Sequence, residues 1–100
     1  DHYHTSDEIE EEKDHHFITF GPANADIVVL RAANDIVRTD GQKLGLRTEW
    51  KINSLQSTGK MNIKLVHGPA TVNQNYPSAT NQLGQTTGGE TDVDITVEAH

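Results

Sequence analysis

Apolar and polar residues alternate along three stretches of the chain. From Leu44 to Ile52, the residues Leu46, Thr48, Trp50 and Ile52 share one face, and Arg47, Glu49 and Lys51 share the other. From Lys60 to Gly68, Met61, Ile63 and Leu65 alternate with Lys60, Asn62 and Lys64. From Thr91 to Ala99, Val93, Ile95 and Val97 oppose Asp92, Asp94, Thr96 and Glu98. A period of two marks a strand with one buried face. Beside a Lys-bearing strand, the acidic face of the last stretch would meet opposite charges, a gain of roughly 0.2–1 kcal/mol per pair. Two earlier stretches are more apolar. His15 to Gly21 has strand-forming residues and an expected stop at Gly21-Pro22. Ala25 to Ala32 is almost continuously apolar, which predicts a strand buried on both faces. Asn34-Asp35 interrupts it, Ile36 to Thr39 resumes it, and Asp40-Gly41 is a hairpin turn.

Gly68 to Gly89 shows no period and is rich in Asn, Gln, Thr and Gly. It predicts a long, solvent-exposed loop anchored by Tyr76 and Leu83, and loops of this length are usually functional or disordered. At the start of the chain, Thr5 followed by Glu8 fits a capping box. It predicts a short helical turn with Ile9 as its one apolar anchor. Five or six strands with short turns give an all-β class: an antiparallel β-sandwich of the Ig-like or Greek-key type. The expected division is an acidic, His-containing segment over 1–14 and a sandwich domain over 15–100, with its long polar loop at 68–89.

One hundred residues make one small domain, and 33% hydrophobic and 5% aromatic content make its core lean. The net charge of −7 is uneven: the segment Asp1 to His16 holds seven of the fifteen acids and one of the eight bases. No basic patch is visible, which disfavours nucleic acids and anionic membrane surfaces. The absence of cysteine excludes disulfides and thiolate chemistry. No apolar run approaches the roughly 18–20 residues of a membrane-spanning helix. The start has no initiating Met and no signal peptide, which predicts a chain processed from something longer.

Histidines are the main candidate chemistry. His2 and His4 share a face of an extended strand, and His15, His16 and Asp14 follow. Imidazole with carboxylate suits Zn²⁺ or Cu²⁺, although no fixed zinc-binding spacing is present. An acidic, solvated surface segment is the simpler reading. Asp40, Asp92 and Asp94 raise Ca²⁺, but the turn and the solvent face of a strand account for them. His67 ends a strand, where capping by backbone is the usual role. Trp50 is expected in the core. No nucleophile elbow, positioned carboxylate pair or phosphate loop is found, so no enzyme is expected.

"LGLRTEW", "STGKMNIKLVHGP" and "GGETDVDITVEA" resemble the C-terminal half of small surface lipoproteins of Bacteroidota. Glu8 to His16 is similar to their "EIEEE…DEH" element, Leu44 to Trp50 to "PLGL…W", Ser57 to Pro69 to "GT…LKHQP", and Gly89 to Val97 to "GETDVDV". Their lipidated N-terminus and first strands have no counterpart, and the loop Gly68 to Gly89 is longer. The resemblance implies a cell-surface or extracellular β-sandwich without catalytic residues. A sandwich lacking its first strands exposes an edge that a second chain can fill. The expected function is therefore a structural subunit of a homopolymeric surface filament, built by strand addition. Its contacts would come from Asp1, His2, Tyr3, His4 and Ile9, or from Val93, Ile95 and Val97. The alternative is a metal- or haem-binding surface protein using His2, His4, His15 and His16. A glycan-binding loop around Tyr76 is a third possibility.

Overall fold

His16 and Thr48 open strands longer than their local alternation predicts. In the computed structural model, which describes residues 13–98, a single 3-10 turn at Lys13–His15 leads into β1, His16–Arg31. β1 pairs antiparallel with β2, Thr48–His67. The helical turn expected at Thr5 to Glu8 lies outside the described residues. Pro22 does not stop β1. The Ile18 and Phe20 amides point away from β2, donating to the carbonyls of Leu44 and Leu83. Pro22 has the same parity, so its missing N–H falls on the edge side and costs no ladder bond with β2.

The β1–β2 hairpin is sharply irregular at its middle. Ala23 pairs with Lys60 and Ala25 with Leu55, so the single residue Asn24 faces the excursion at 56–59 of β2. Asn24 takes a left-handed φ of 56°, a conformation Asn tolerates better than most residues. The irregularity turns the strand back, so that Arg31 at its end donates to the carbonyl of Ile18 near its start, at 2.7 Å. It also shifts the inward parity. Ile18 and Phe20 face the core before the bend, and Ile27 and Val29 after it.

Ile36, Leu44, Met61 and Leu65 complete the buried cluster, with Leu46, Ile63 and Leu83 packed against it. Met61, Ile63 and Leu65 thus point inward as their alternation requires. Ala25 to Ala32 is buried on one face only, since Leu30 is 39% exposed. A hairpin with a single layer against it has solvent on its other side, and the apolar run does not distinguish the two cases.

The stretch after β1 contains the expected turn. Val37 bridges Lys43, the Arg38 amide donates to the Gln42 carbonyl, and Gly41 has φ 85°. The expected loop 68–89 is instead two nested antiparallel pairs. β3, Thr71–Asn73, pairs with β6, Gln85–Thr87; between them β4, Pro77–Ser78, pairs with β5, Asn81–Gln82. Leu83 is an anchor, but the Tyr76 side chain is 44% exposed and is not. β7, Glu90–Glu98, then returns along β2, giving an antiparallel sheet in the order β1-β2-β7. Asp94 lies opposite Lys64 and Glu98 opposite Lys60, the charge pairing its sequence predicts. The fold is all-β.

Candidate functional site

Three features are candidates for function, and the most buried of them is structural. Arg31 is 3% exposed. Its Nε donates to the carbonyl of Gln82 at 3.2 Å, its Nη1 to Lys43 at 3.0 Å, and its Nη2 to Ile18 at 2.7 Å and Leu83 at 3.2 Å. Its guanidinium carbon lies 4.4 Å from the centroid of the Phe17 ring. One side chain thereby ties β1 to the 32–47 loop and to the nested hairpins. Burial pushes its pKa down to about 10, with Asp35 opposing, so the group is charged at neutral pH. Gly45 and Gly84 press against this guanidinium with φ of 100° and 93°. A Cβ at Gly84 would overlap Arg31 Nη2 and stand 3.1 Å from Phe17 Cε2. Gly84→Ala is therefore expected to cost about 1–3 kcal/mol, read as a lower urea midpoint with an unchanged slope. An unchanged midpoint would contradict this packing.

The second feature is a histidine cluster where β1, β2 and β7 meet. His16 and His67 are direct cross-strand partners, their rings stacked with centroids 4.9 Å apart and planes inclined at 28°. His16 is fully buried and His67 exposed. His67 Nδ1 is 3.3 Å from Asp92 Oδ2. Asp92 reaches it because β7 is irregular at this point. Leu65 pairs with Val93 but Val66 with Thr91, so Asp92 is an extra residue in the ladder. Such a bulge re-aims a side chain. One donor atom each from His16, His67 and Asp92 lies within 4.8 Å of the others. His15 adds a ring edge-on to His67 at 6.5 Å.

The third feature is uncovered apolar surface. β7 is exposed at all nine positions and, among the described residues, pairs with β2 alone. Val93, Ile95 and Val97 oppose Leu65, Ile63 and Met61, and so continue the core face of the sheet. Nevertheless they are 39%, 49% and 38% exposed. β7 reaches only to Lys60, so among the described residues the β2 stretch 48–55 pairs on one side only, with β1. That stretch carries the exposed Trp50 and Ile52. Trp50, expected in the core, instead borders it. Its ring meets Phe20 edge-on at 6.3 Å, and its Nε1 donates to Thr48 Oγ1.

The residues singled out from the sequence separate in the fold. Asp14 is drawn away from the histidines: its carboxylate accepts from Thr39 N at 2.8 Å and pairs with Thr39 Oγ1 at 2.6 Å. His15 and His16 lie at the cluster. His2 and His4, with Asp1, Tyr3 and Ile9, lie outside the described residues. The possible Ca²⁺ carboxylates do not converge: Asp40 accepts from Gln42 N and pairs with Arg38, while Asp94 accepts from Asn62. Sequence reasoning set His67 and Asp92 aside, because the cross-strand register and the bulge that join them leave no local trace. Among the described residues no helix is long and apolar enough to cross a membrane. Comparisons with protein-family models, with curated proteins and with solved structures yield no match.

Proposed function

We propose that this protein is a non-enzymatic structural subunit that polymerises by adding the edge of β7 to a neighbouring copy. The observation that carries the reading is β7 itself, a nine-residue edge strand whose core-side residues Val93, Ile95 and Val97 stand open to solvent. Soluble monomers usually blunt such an edge with an inward charge, a proline or a covering segment. Along its length Asp94 and Glu98 of β7 lie on the outer face, opposite Lys64 and Lys60, and Asp92 is turned to His67 at one end. The second layer of an Ig-like or Greek-key sandwich would then come from the neighbour. Pairing of β7 with its own copy is disfavoured. With Ile95 opposite itself, Asp92 would face Glu98, and like charges directly opposite are destabilising. The open β2 stretch offers Lys51 on its outer face and Trp50 and Ile52 on its inner face. Its inner face complements the apolar side of β7, and Lys51, beside Glu49, offers one opposite charge on the outer face. A contact between two different edges is heterologous and grows into a filament unless it closes into a ring. The resemblance to surface lipoproteins supports reading such a filament as a cell-surface one.

Ile95→Lys puts a charge on the inward face of the edge. It should leave the monomer's stability within about 0.5 kcal/mol, since the site is exposed, while abolishing assemblies seen by sedimentation velocity and electron microscopy. A wild-type chain that stays monomeric up to high concentration would sink the reading.

A further inference from the structure

The geometry points to a divalent transition-metal site formed by His16, His67 and Asp92 at the end of the main sheet. The site would clip the three strands β1, β2 and β7 together. Each strand supplies one ligand, and each is placed by a different feature of the fold. His16 opens β1, His67 closes β2, and the bulge turns Asp92 toward them. Ligands on a tetrahedral ion at about 2.0–2.2 Å are roughly 3.4 Å apart. His67 Nδ1 and Asp92 Oδ2 are already at 3.3 Å. The 4.8 Å spread of the full set closes by rotation of His67 and Asp92, which are exposed, toward the fixed ring of His16. An ion would sit between His67 and Asp92 and approach from the solvent side. The fourth position stays open to water or to His15, whose ring is 6.5 Å from that of His67.

Two imidazoles and one carboxylate select Zn²⁺ or Cu²⁺ over Ca²⁺ and Mg²⁺, which take oxygen ligands. The site belongs to the folded chain alone and does not depend on assembly. It also differs from a site on His2 and His4, because its ligands are brought together only by the register of the sheet.

The test is calorimetric titration of Zn²⁺ into the full chain carrying His2→Ala, His4→Ala and His100→Ala, which removes the other candidate imidazoles. About one ion per chain should bind, and saturating Zn²⁺ should raise Tm by several degrees, because an ion bound only by the native state stabilises it. Adding His67→Ala or Asp92→Asn should weaken binding at least about tenfold and remove the Tm shift. His16 is fully buried, so it is followed by NMR of its imidazole nitrogens rather than replaced, and these should shift on Zn²⁺ addition. If His67→Ala unfolds the chain, Asp92→Asn and the His16 signals decide. No heat in the triple-alanine chain, equal binding in the Asp92→Asn chain, or unmoved His16 signals would each overturn the site.

Discussion

Replacing Arg31 with Met is expected to lower the stability of the fold by about 3–5 kcal/mol, the usual result of removing one partner from a buried charged network. Met fills much of the same volume, so cavity formation is a minor part of the loss. The larger part is four carbonyl oxygens, of Ile18, Lys43, Gln82 and Leu83, that lose a charged donor in a site closed to water. Arg31→Lys separates charge from geometry. A lysine keeps the charge but has a single ammonium in place of the planar fork, and it cannot reach acceptors on three segments at once. It should recover less than half of the loss. The penalty should be constant between about pH 6 and 9. The folded-state pKa of about 10 lies below that of an unfolded arginine, so the two states bind equal protons at this group below about pH 9. Above about pH 10 the unfolded state holds the extra proton, so the cost of burying this charge eases as pH rises. Equilibrium urea unfolding of both variants across that range measures all of this. An Arg31→Lys chain as stable as wild type would show that the carbonyl fork does not hold the fold.

Little of this network was legible in the sequence. Arg31 closes an apolar run and reads there as its polar end. Asp35 reads as half of an Asn-Asp interruption. The role of Arg31 depends on contacts 51 and 52 residues away along the chain, at Gln82 and Leu83, and that of Asp35 on the amides of Gly45, Leu46 and Arg47 across the loop. No local window contains both sides. The strands themselves were more open to reading. Leu65, Ile63 and Met61 follow a strict period of two and are inward, because alternation is a property of the strand rather than of its partners. β7 shows where that logic stops. Its alternation predicts which side Val93, Ile95 and Val97 take, and they take it. The pattern says nothing of whether any layer covers that side, and here none of the described residues does so fully. The nested pairs between Gly68 and Gly89 escaped for a related reason. Their strands are two or three residues long, too short to show a period, and they are held by Asn and Gln side chains. The Asn81 and Gln82 side-chain oxygens accept from the amides of Val29 and Arg31 at 3.1 and 2.8 Å. A polar composition that suggests solvation is here a way of satisfying the edge of β1.

Asp35→Ala should cost about as much as the loss of Arg31, roughly 3–5 kcal/mol, for the mirror-image reason. Where Arg31 gathers carbonyls, Asp35 gathers amides. Its Oδ1 accepts from the backbone N–H of Ile36 at 2.8 Å, Leu46 at 3.1 Å and Arg47 at 3.0 Å, and its Oδ2 accepts from Gly45 at 2.7 Å. The residue is 5% exposed, so truncation leaves those donors without water to replace the carboxylate. This loop geometry holds Leu44 in the core, through its amide bond to the Ile36 carbonyl at 2.8 Å, and sets Gly45 against Arg31. Asp35→Asn is the sharper probe. An amide keeps the shape and one acceptor oxygen, but presents an NH₂ to a backbone N–H at the other position, donor against donor. It should therefore lose at least about half of what Ala loses, although the volumes are nearly equal. Amide hydrogen exchange at Gly45, Leu46 and Arg47 should accelerate by about a hundredfold or more in either variant, since local opening no longer breaks the carboxylate bonds. The Arg31→Met and Asp35→Ala losses should also combine to less than their sum. Both remove the same clamp on the 32–47 loop, and the charge of each stabilises the other. Strict additivity in that double-mutant cycle, or an Asp35→Asn chain within about 0.5 kcal/mol of wild type, would separate the two residues and leave the loop held by apolar packing alone.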